Sequence, residues 1–304
     1  MDVLFINPGS SEDVYQGLST DYAGIGTPYW LLLLSQSCRS QGYDVGALDI
    51  LAEKLLLDDA ITKIKKMNPR LITFCVYGEN VNSGTTQMSG ALRLANLLKE
   101  CGVEIPISFV GSHVQALPYK VLDEEPNIDI IFTNEGVYSL WNILKLDDLT
   151  DLNQLETIKG IGFIKNDKPF LTKPERIVPQ KRMDLDLPGY AWDLLPYDKK
   201  PFDLYRSPMW HGEYDHDKRT PYAALYTSLG CVFQCEFCMI NILNRDDLDE
   251  VGVAGNYNKM RFWSPEFIIK EFDKLNEMGV ETIRIADEMF LLTINNDVIR
   301  KTLC

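Results

Sequence analysis

Along the first 145 residues the apolar positions keep changing period. Continuous apolar runs occur at DVLFINP (2–8), YDVGALDI (43–50), RLITFCVYG (70–78), PISFVGS (106–112) and IDIIFTNEG (128–136). Runs of this length that do not alternate with polar residues predict strands buried on both faces. Between them, segments 28–41, 53–67, 84–101 and 118–124 carry apolar residues at helical spacing. Strands alternating with helices predict βαβ units and a parallel sheet. Most of the strands end in turn-forming residues, NPGSS, YGEN, GSH and NEG. In such sheets ligands bind beyond the carboxyl ends of the strands, so these loops form the expected binding edge.

Segment 159–174 predicts a hairpin turning at Asn166–Asp167. In ERIVPQKRMDLDLPGYAWDLLPYDKKPFD, prolines and acids break any period, and the expectation is a linker over the surface. The pattern resumes with a strand YAALYTSLG (222–230), a helix SPEFIIKEFDKLNEMG (264–279) and a strand ETIRIAD (281–287), and NNDVIRKTL reads as the start of another helix. The domains expected are 1–145, a hairpin and linker over 146–205, and a second domain over 206–304.

Composition changes this picture in two ways. The 30 basic and 44 acidic side chains give a net charge of −14, which argues against a nucleic-acid partner. No apolar run approaches the ~20 residues of a membrane span, and the N-terminus lacks the basic region of a signal peptide. A cytoplasmic protein without a membrane partner is expected, where clustered cysteines bind metal more often than they form disulfides.

Three of the seven cysteines, Cys231, Cys235 and Cys238, fall in SLGCVFQCEFCMI as C-x3-C-x2-C. Soft thiolates at this spacing wrap one face of a metal ion or an iron–sulfur cluster. A structural zinc site needs a fourth ligand, for which His211 and His216 are the nearest histidines. The other reading is a four-iron cluster with one iron left open. Cys38, Cys75 and Cys101 stand apart in core-like helix and strand contexts.

YTSLGCVFQCEFC resembles the cluster loop of radical S-adenosylmethionine (radical SAM) enzymes. The resemblance implies that the three cysteines hold a [4Fe–4S] cluster, that Phe237 packs near the adenine, and that Asp287 and Glu288 in IADEMF help to hold the methionyl amine. Helix capping is the alternative role of those two carboxylates. The N-terminal half, with NPGS, PYWLLLLSQSCRSQGYDVGALDI, VYGENVNSGTTQMSGALRLANLLK and VGSHVQALPYKVL, resembles the group of these enzymes whose leading domain binds cobalamin. The linker MDLDLPGYAWDLLP is similar to the bridge those proteins carry. The fold expected is α/β: a Rossmann-like cobalamin domain followed by the first βα units of a partial TIM-like radical SAM barrel.

Candidate cobalamin contacts are Tyr77 and Gly78, then Gly111, Ser112 and His113, then Asn134, Glu135 and Gly136. Plain turn-forming and loop-satisfying roles stand beside these. Classical cobalamin enzymes carry a cobalt-ligating histidine in D-x-H-x-x-G after the first strand. Here that loop, NPGSSEDVYQG, has no histidine, so the sequence names no axial ligand from it. A mononucleotide is the other ligand such a sheet takes. No G-x-G-x-x-G follows the first strand, which disfavours a dinucleotide.

The resemblance implies a deoxyadenosyl radical that takes hydrogen from an unreactive carbon, and a methyl group delivered from cobalamin. The expected partners are a small-molecule substrate and an electron donor such as a flavodoxin or ferredoxin. Two alternatives remain. A tRNA methylthiotransferase also places a Rossmann-like domain before this loop, but holds a second cluster with N-terminal cysteines. A truncated, non-catalytic cobalamin and iron–sulfur binding module is suggested by the few βα units that fit between residue 222 and Cys304.

Overall fold

The computed structural model of the chain describes residues 1–9, 25–78, 81–197, 205, 221–233, 235–243 and 260–290. Five strands, β1 (Val3–Asn7), β2 (Val45–Asp49), β3 (Leu71–Cys75), β4 (Ile107–Val110) and β5 (Ile130–Phe132), pair in parallel. The predicted hairpin forms β6 (Ile161–Lys165) and β7 (Lys168–Leu171) and joins the sheet antiparallel to β5. The complete order is β2-β1-β3-β4-β5-β6-β7 in one seven-stranded sheet. Asn166 and Asp167 both take positive φ, 52° and 59°, as a tight two-residue hairpin turn requires.

Alternation along the strands divides the core into two layers. Val3 and Phe5 of β1 face a cluster built on helix α1 (Tyr29–Ser40). Leu4 and Ile6 face the cluster holding helices α2 (Leu57–Met67) and α3 (Met88–Glu100). Shorter helices α4 (Ser112–Ala116), α5 (Pro118–Glu124) and α6 (Val137–Ile143) follow β4 and β5.

The second region departs from expectation in its first strand. YAALYTSLG is two strands, β8 (Tyr222–Leu225) and β9 (Ser228–Gly230), broken at Tyr226–Thr227. The break has a physical reason, because the halves serve different sheets. β8 pairs in parallel with β11 (Thr282–Ile285), and β9 pairs antiparallel with β10 (Met260–Phe262), a strand the period did not reveal. Helix α7 (Ile240–Leu243) follows the cysteine loop. Helix α8 (Pro265–Glu277) starts where sequence chemistry says it should: Ser264 caps the Phe267 N–H and Pro265 opens the first turn. β8, α8 and β11 thus form a βα unit of barrel type. The helix expected from NNDVIRKTL, and His211 and His216, lie outside the described residues.

The stretch expected as a surface linker is largely buried where it is described. Ile177, Val178, Met183, Leu187, Tyr190 and Trp192 belong to the core, and Trp192 is 0% exposed. The Trp192 indole donates to Glu271 at 2.9 Å, and the Trp263 indole donates to the Leu187 carbonyl at 2.7 Å. The segment acts as a strap, and the α1-side cluster runs through it into Ala223, Leu225, Trp263, Ile268 and Leu275. No helix among the described residues is long and apolar enough to cross a membrane.

Candidate functional site

The carboxyl edge of the parallel sheet carries a half-open cleft. Its lining includes Asn7 at the end of β1, Thr27, Tyr29 and Trp30 at the start of α1, Tyr77 and Gly78 after β3, and Val81. Tyr226 and Leu243 complete the wall from the second region. Trp30 and Tyr77 stack with ring centroids 5.3 Å apart and planes inclined by 18°. The Tyr77 hydroxyl accepts from the Gln115 amide at 3.3 Å, and burial pushes its ionisation well above the ordinary phenol range. Thr27 is buried in the wall, and its Oγ1 has no hydrogen-bond partner among the described residues. A hydroxyl in that state keeps one donor and two acceptor positions open.

A second half-open cavity adjoins the first. Trp30, Val81, Tyr226 and Leu243 line both, and the second adds Ser228, Leu229, Gly230, Ile240 and Glu288. Gly230 immediately precedes Cys231. On the loop Cys231 is buried, Cys235 is exposed and Cys238 is partly covered. The Phe233 N–H points at Cys231 Sγ from 3.4 Å, and the Cys238 N–H donates to the Cys235 carbonyl at 3.0 Å, closing a turn. The far end of the loop is pinned to the first region, where the Met239 N–H donates to Asn82 Oδ1 at 2.8 Å. Phe237, expected beside an adenine, is 80% exposed. Among the described residues no three His, Cys, Asp or Glu side chains are gathered into a metal-binding group. The three thiols stand on one loop without converging.

Asp287 and Glu288 follow β11. Asp287 accepts from the Thr227 N–H at 2.6 Å, the Thr227 hydroxyl at 2.5 Å and the Ser228 hydroxyl at 2.7 Å, so it ties the end of β11 to the break between β8 and β9. Burial raises its pKa and these hydrogen bonds oppose the rise. Glu288 lines the second cavity, and burial followed by the neighbouring Asp287 charge raises its pKa.

The remaining candidates lie on the same sheet edge but line neither cavity. Gly111 has φ 153°, and a Cβ there would sit 2.2 Å from the Val76 carbonyl, so only glycine fits between β3 and β4. Ser112 is buried. His113 Nδ1 lies 2.9 Å from Thr85 Oγ1, and burial, then Lys120, lowers its pKa. Asn134 donates to the Glu175 carbonyl at 2.6 Å and accepts from the Gly136 N–H at 3.0 Å. Glu135 pairs with Arg261 at 2.7 Å. Gly136, at φ 82°, turns the chain into α6.

Sequence reasoning missed Asn7, Thr27, Trp30 and Tyr226. Asn7 was findable, as the last residue of β1 at the expected binding edge. Its amide donates to Asp49 Oδ2 at 3.0 Å, and Asp49 also accepts from Tyr205. Tyr226 gave no signal, because its place in the wall depends on the break between β8 and β9.

Residues 15–143 match the family model of the B12 binding domain. Over 293 residues, 96% of this chain, the sequence is 26% identical to an uncharacterized methyltransferase of Pyrococcus horikoshii, of which it spans 54%. The fold is similar to TsrM of Kitasatospora setae, a radical S-adenosylmethionine methyltransferase solved with tryptophan and a SAM analog, with TM-score 0.64, 15% identity, and coverage of 99% of this chain and 50% of that one. It is also similar to OxsB, a cobalamin-dependent S-adenosylmethionine radical enzyme, with TM-score 0.63, 18% identity, and coverage of 94% and 34%. The resemblance to cobalamin-binding radical SAM proteins is borne out by the domain match over residues 15–143 and by the fold, and the expected Rossmann-like sheet followed by the first βα units of a partial barrel agrees with these neighbours.

Proposed function

We propose that this chain carries the cofactor-binding part of a cobalamin-dependent radical SAM methyltransferase, acting on an unactivated carbon of a small molecule. The observation that carries the reading is the pair of adjoining cavities, one at the sheet edge and one at the cysteine loop, with Trp30, Val81, Tyr226 and Leu243 common to both. Two cofactors that act on one substrate must lie side by side, and a shared wall does this.

The residues fit the groups on two grounds. At the sheet edge an aromatic wall meets an amide at Asn7 and a Thr27 hydroxyl without a partner among the described residues, a donor set that suits the edge of a ring bearing amides. The loop offers three soft sulfur donors, Cys231, Cys235 and Cys238, and a backbone N–H directed at the first of them. When bound, these groups supply one-electron cleavage of S-adenosylmethionine and a transferable methyl group. The chain's own work is positional. Asp287 braces β8, β9 and β11 around the loop, Glu288 offers a carboxylate to a cationic amine in the second cavity, and the apolar walls keep water from the space between. An electron donor of flavodoxin or ferredoxin type belongs to the proposal. So does the division into domains at 1–145, 146–205 and 206–304.

OxsB has been solved with aqua-cobalamin and S-adenosylmethionine, and TsrM with cobalamin and a [4Fe–4S] cluster, which supports the same cofactors here. The tRNA methylthiotransferase reading loses support, because Cys38 and Cys75 are buried and burial pushes their thiols far above the ordinary range; Cys101, expected in a core-like context, is exposed instead. Anaerobic reconstitution with iron, sulfide and hydroxocobalamin tests the proposal. The expected result is one bound corrinoid and one cluster per chain, each visible in the absorption spectrum. A chain that takes up the cluster but no corrinoid overturns the first-domain assignment.

A further inference from the structure

Glu135 and Arg261 are only 1% and 4% exposed, and their ion pair at 2.7 Å joins residues 126 positions apart. Both side chains also grip one residue of the strap. The second Glu135 oxygen accepts from the Val178 N–H at 2.5 Å, and the second Arg261 arm donates to the Val178 carbonyl at 2.8 Å. Three segments remote in sequence thus meet in one dry knot: the loop after β5, the strap, and β10. Gln180 reinforces it, exchanging two 2.8 Å hydrogen bonds with the Phe262 backbone.

The knot leads directly to the cysteines. In the β9–β10 pair Arg261 stands opposite Leu229 and Met260 opposite Gly230, and Cys231 is the next residue. At its other end Glu135 sits between Asn134 and Gly136, at the carboxyl end of β5. A buried ion pair contributes little net stability compared with apolar side chains of the same volume, because desolvation offsets the attraction. What a charge pair with three directed hydrogen bonds adds is a single permitted arrangement.

We propose that Glu135 and Arg261 are positioning residues that latch the cysteine strand to the carboxyl edge of the first sheet, so that occupancy of one cofactor site is felt at the other. Tyr77 lines the sheet-edge cleft, its hydroxyl accepts from Gln115, and Gln115 also donates to the carbonyl of Asn134, the residue before Glu135. A corrinoid ordering Tyr77 would be felt along this path at Glu135, then at Arg261 and the strand that launches Cys231. This inference rests on the cofactor pair proposed above. It adds that the two sites are coupled in energy through a named element with two ends.

The test titrates the full chain with hydroxocobalamin under anaerobic conditions, before and after assembly of the cluster, in wild type, Glu135→Gln and the double variant Glu135→Gln/Arg261→Gln. The double variant leaves no lone buried charge and so guards against simple misfolding. Wild type is expected to bind hydroxocobalamin about fivefold or more tightly once the cluster is present. In both variants that difference should vanish, although each cofactor still binds. Absence of the difference in wild type, or its survival in the double variant, overturns the latch. If wild type binds no hydroxocobalamin, the cofactor reading fails and amide exchange decides the latch alone. The double variant should then raise exchange of residues 228–230 and 260–262 about tenfold with β1–β4 unchanged; unchanged exchange overturns it.

Discussion

Asp49 shows how a single carboxylate can support a binding edge and burden the fold at the same time. It is 3% exposed and accepts from Asn7, Tyr205 and the Ala52 N–H. Burial pushes its pKa up to about 6, and the hydrogen bonds only partly oppose that rise. An acid whose folded pKa lies above its unfolded value stabilises the fold fully below the unfolded pKa. That contribution is lost as pH rises through the folded one. From pH 4 to 7 the stability of wild type relative to Asp49→Asn should therefore fall, by on the order of 3 kcal/mol at 1.36 kcal/mol per unit. Urea unfolding of both proteins across that range measures it, and a pH-independent difference would refute the raised pKa. Thr27 gives the opposite case, a buried hydroxyl without a hydrogen-bond partner among the described residues. Thr27→Val keeps the shape and removes the orphan hydroxyl. It should leave stability unchanged or raise it by about 1 kcal/mol, while weakening hydroxocobalamin binding about five- to tenfold. A stability loss without an affinity loss would show that Thr27 serves the fold instead.

At the scale of elements, legibility followed the strength of the period. All five parallel strands and the hairpin turn at Asn166–Asp167 were readable, because β-rich runs bounded by turn residues admit few alternatives. The strap was misread because its buried residues follow no period. Ile177, Val178, Tyr190 and Trp192 are all buried, yet their spacing follows neither a 3.6 nor a 2.0 repeat. The strap's importance can be measured. Trp192→Ala removes a fully buried ring that stacks on Tyr190 at 4.9 Å and leaves Glu271 without its indole donor. A loss of about 3–5 kcal/mol is expected in denaturant unfolding. Trp192→Phe retains a ring and loses the hydrogen bond, and should lose about 1–3 kcal/mol. Equal losses in the two variants would mean that the ring's packing counts for nothing.

For the whole molecule, the cysteine loop was the most readable feature and the site it belongs to the least. Cys231, Cys235 and Cys238 announce themselves by spacing, whereas the shared wall of Trp30, Val81, Tyr226 and Leu243 is assembled from four segments that only the tertiary fold brings together. The core cluster on the α1 side runs without a break from the first region into the second. Their ligand sites are nonetheless separable by substitution. Cys235 is exposed and outside the core clusters, so Cys235→Ala removes a sulfur donor without opening a cavity. Anaerobically reconstituted wild type should carry about four irons per chain, and Cys235→Ala close to none. Most of the sheet-edge cavity is lined by the first region, with only Tyr226 and Leu243 coming from beyond the strap. Hydroxocobalamin should therefore still bind the variant, with the affinity of cluster-free wild type. Weaker binding than that would mean that the loop itself forms part of the corrinoid site. Binding as tight as in cluster-loaded wild type would mean that the two sites do not communicate.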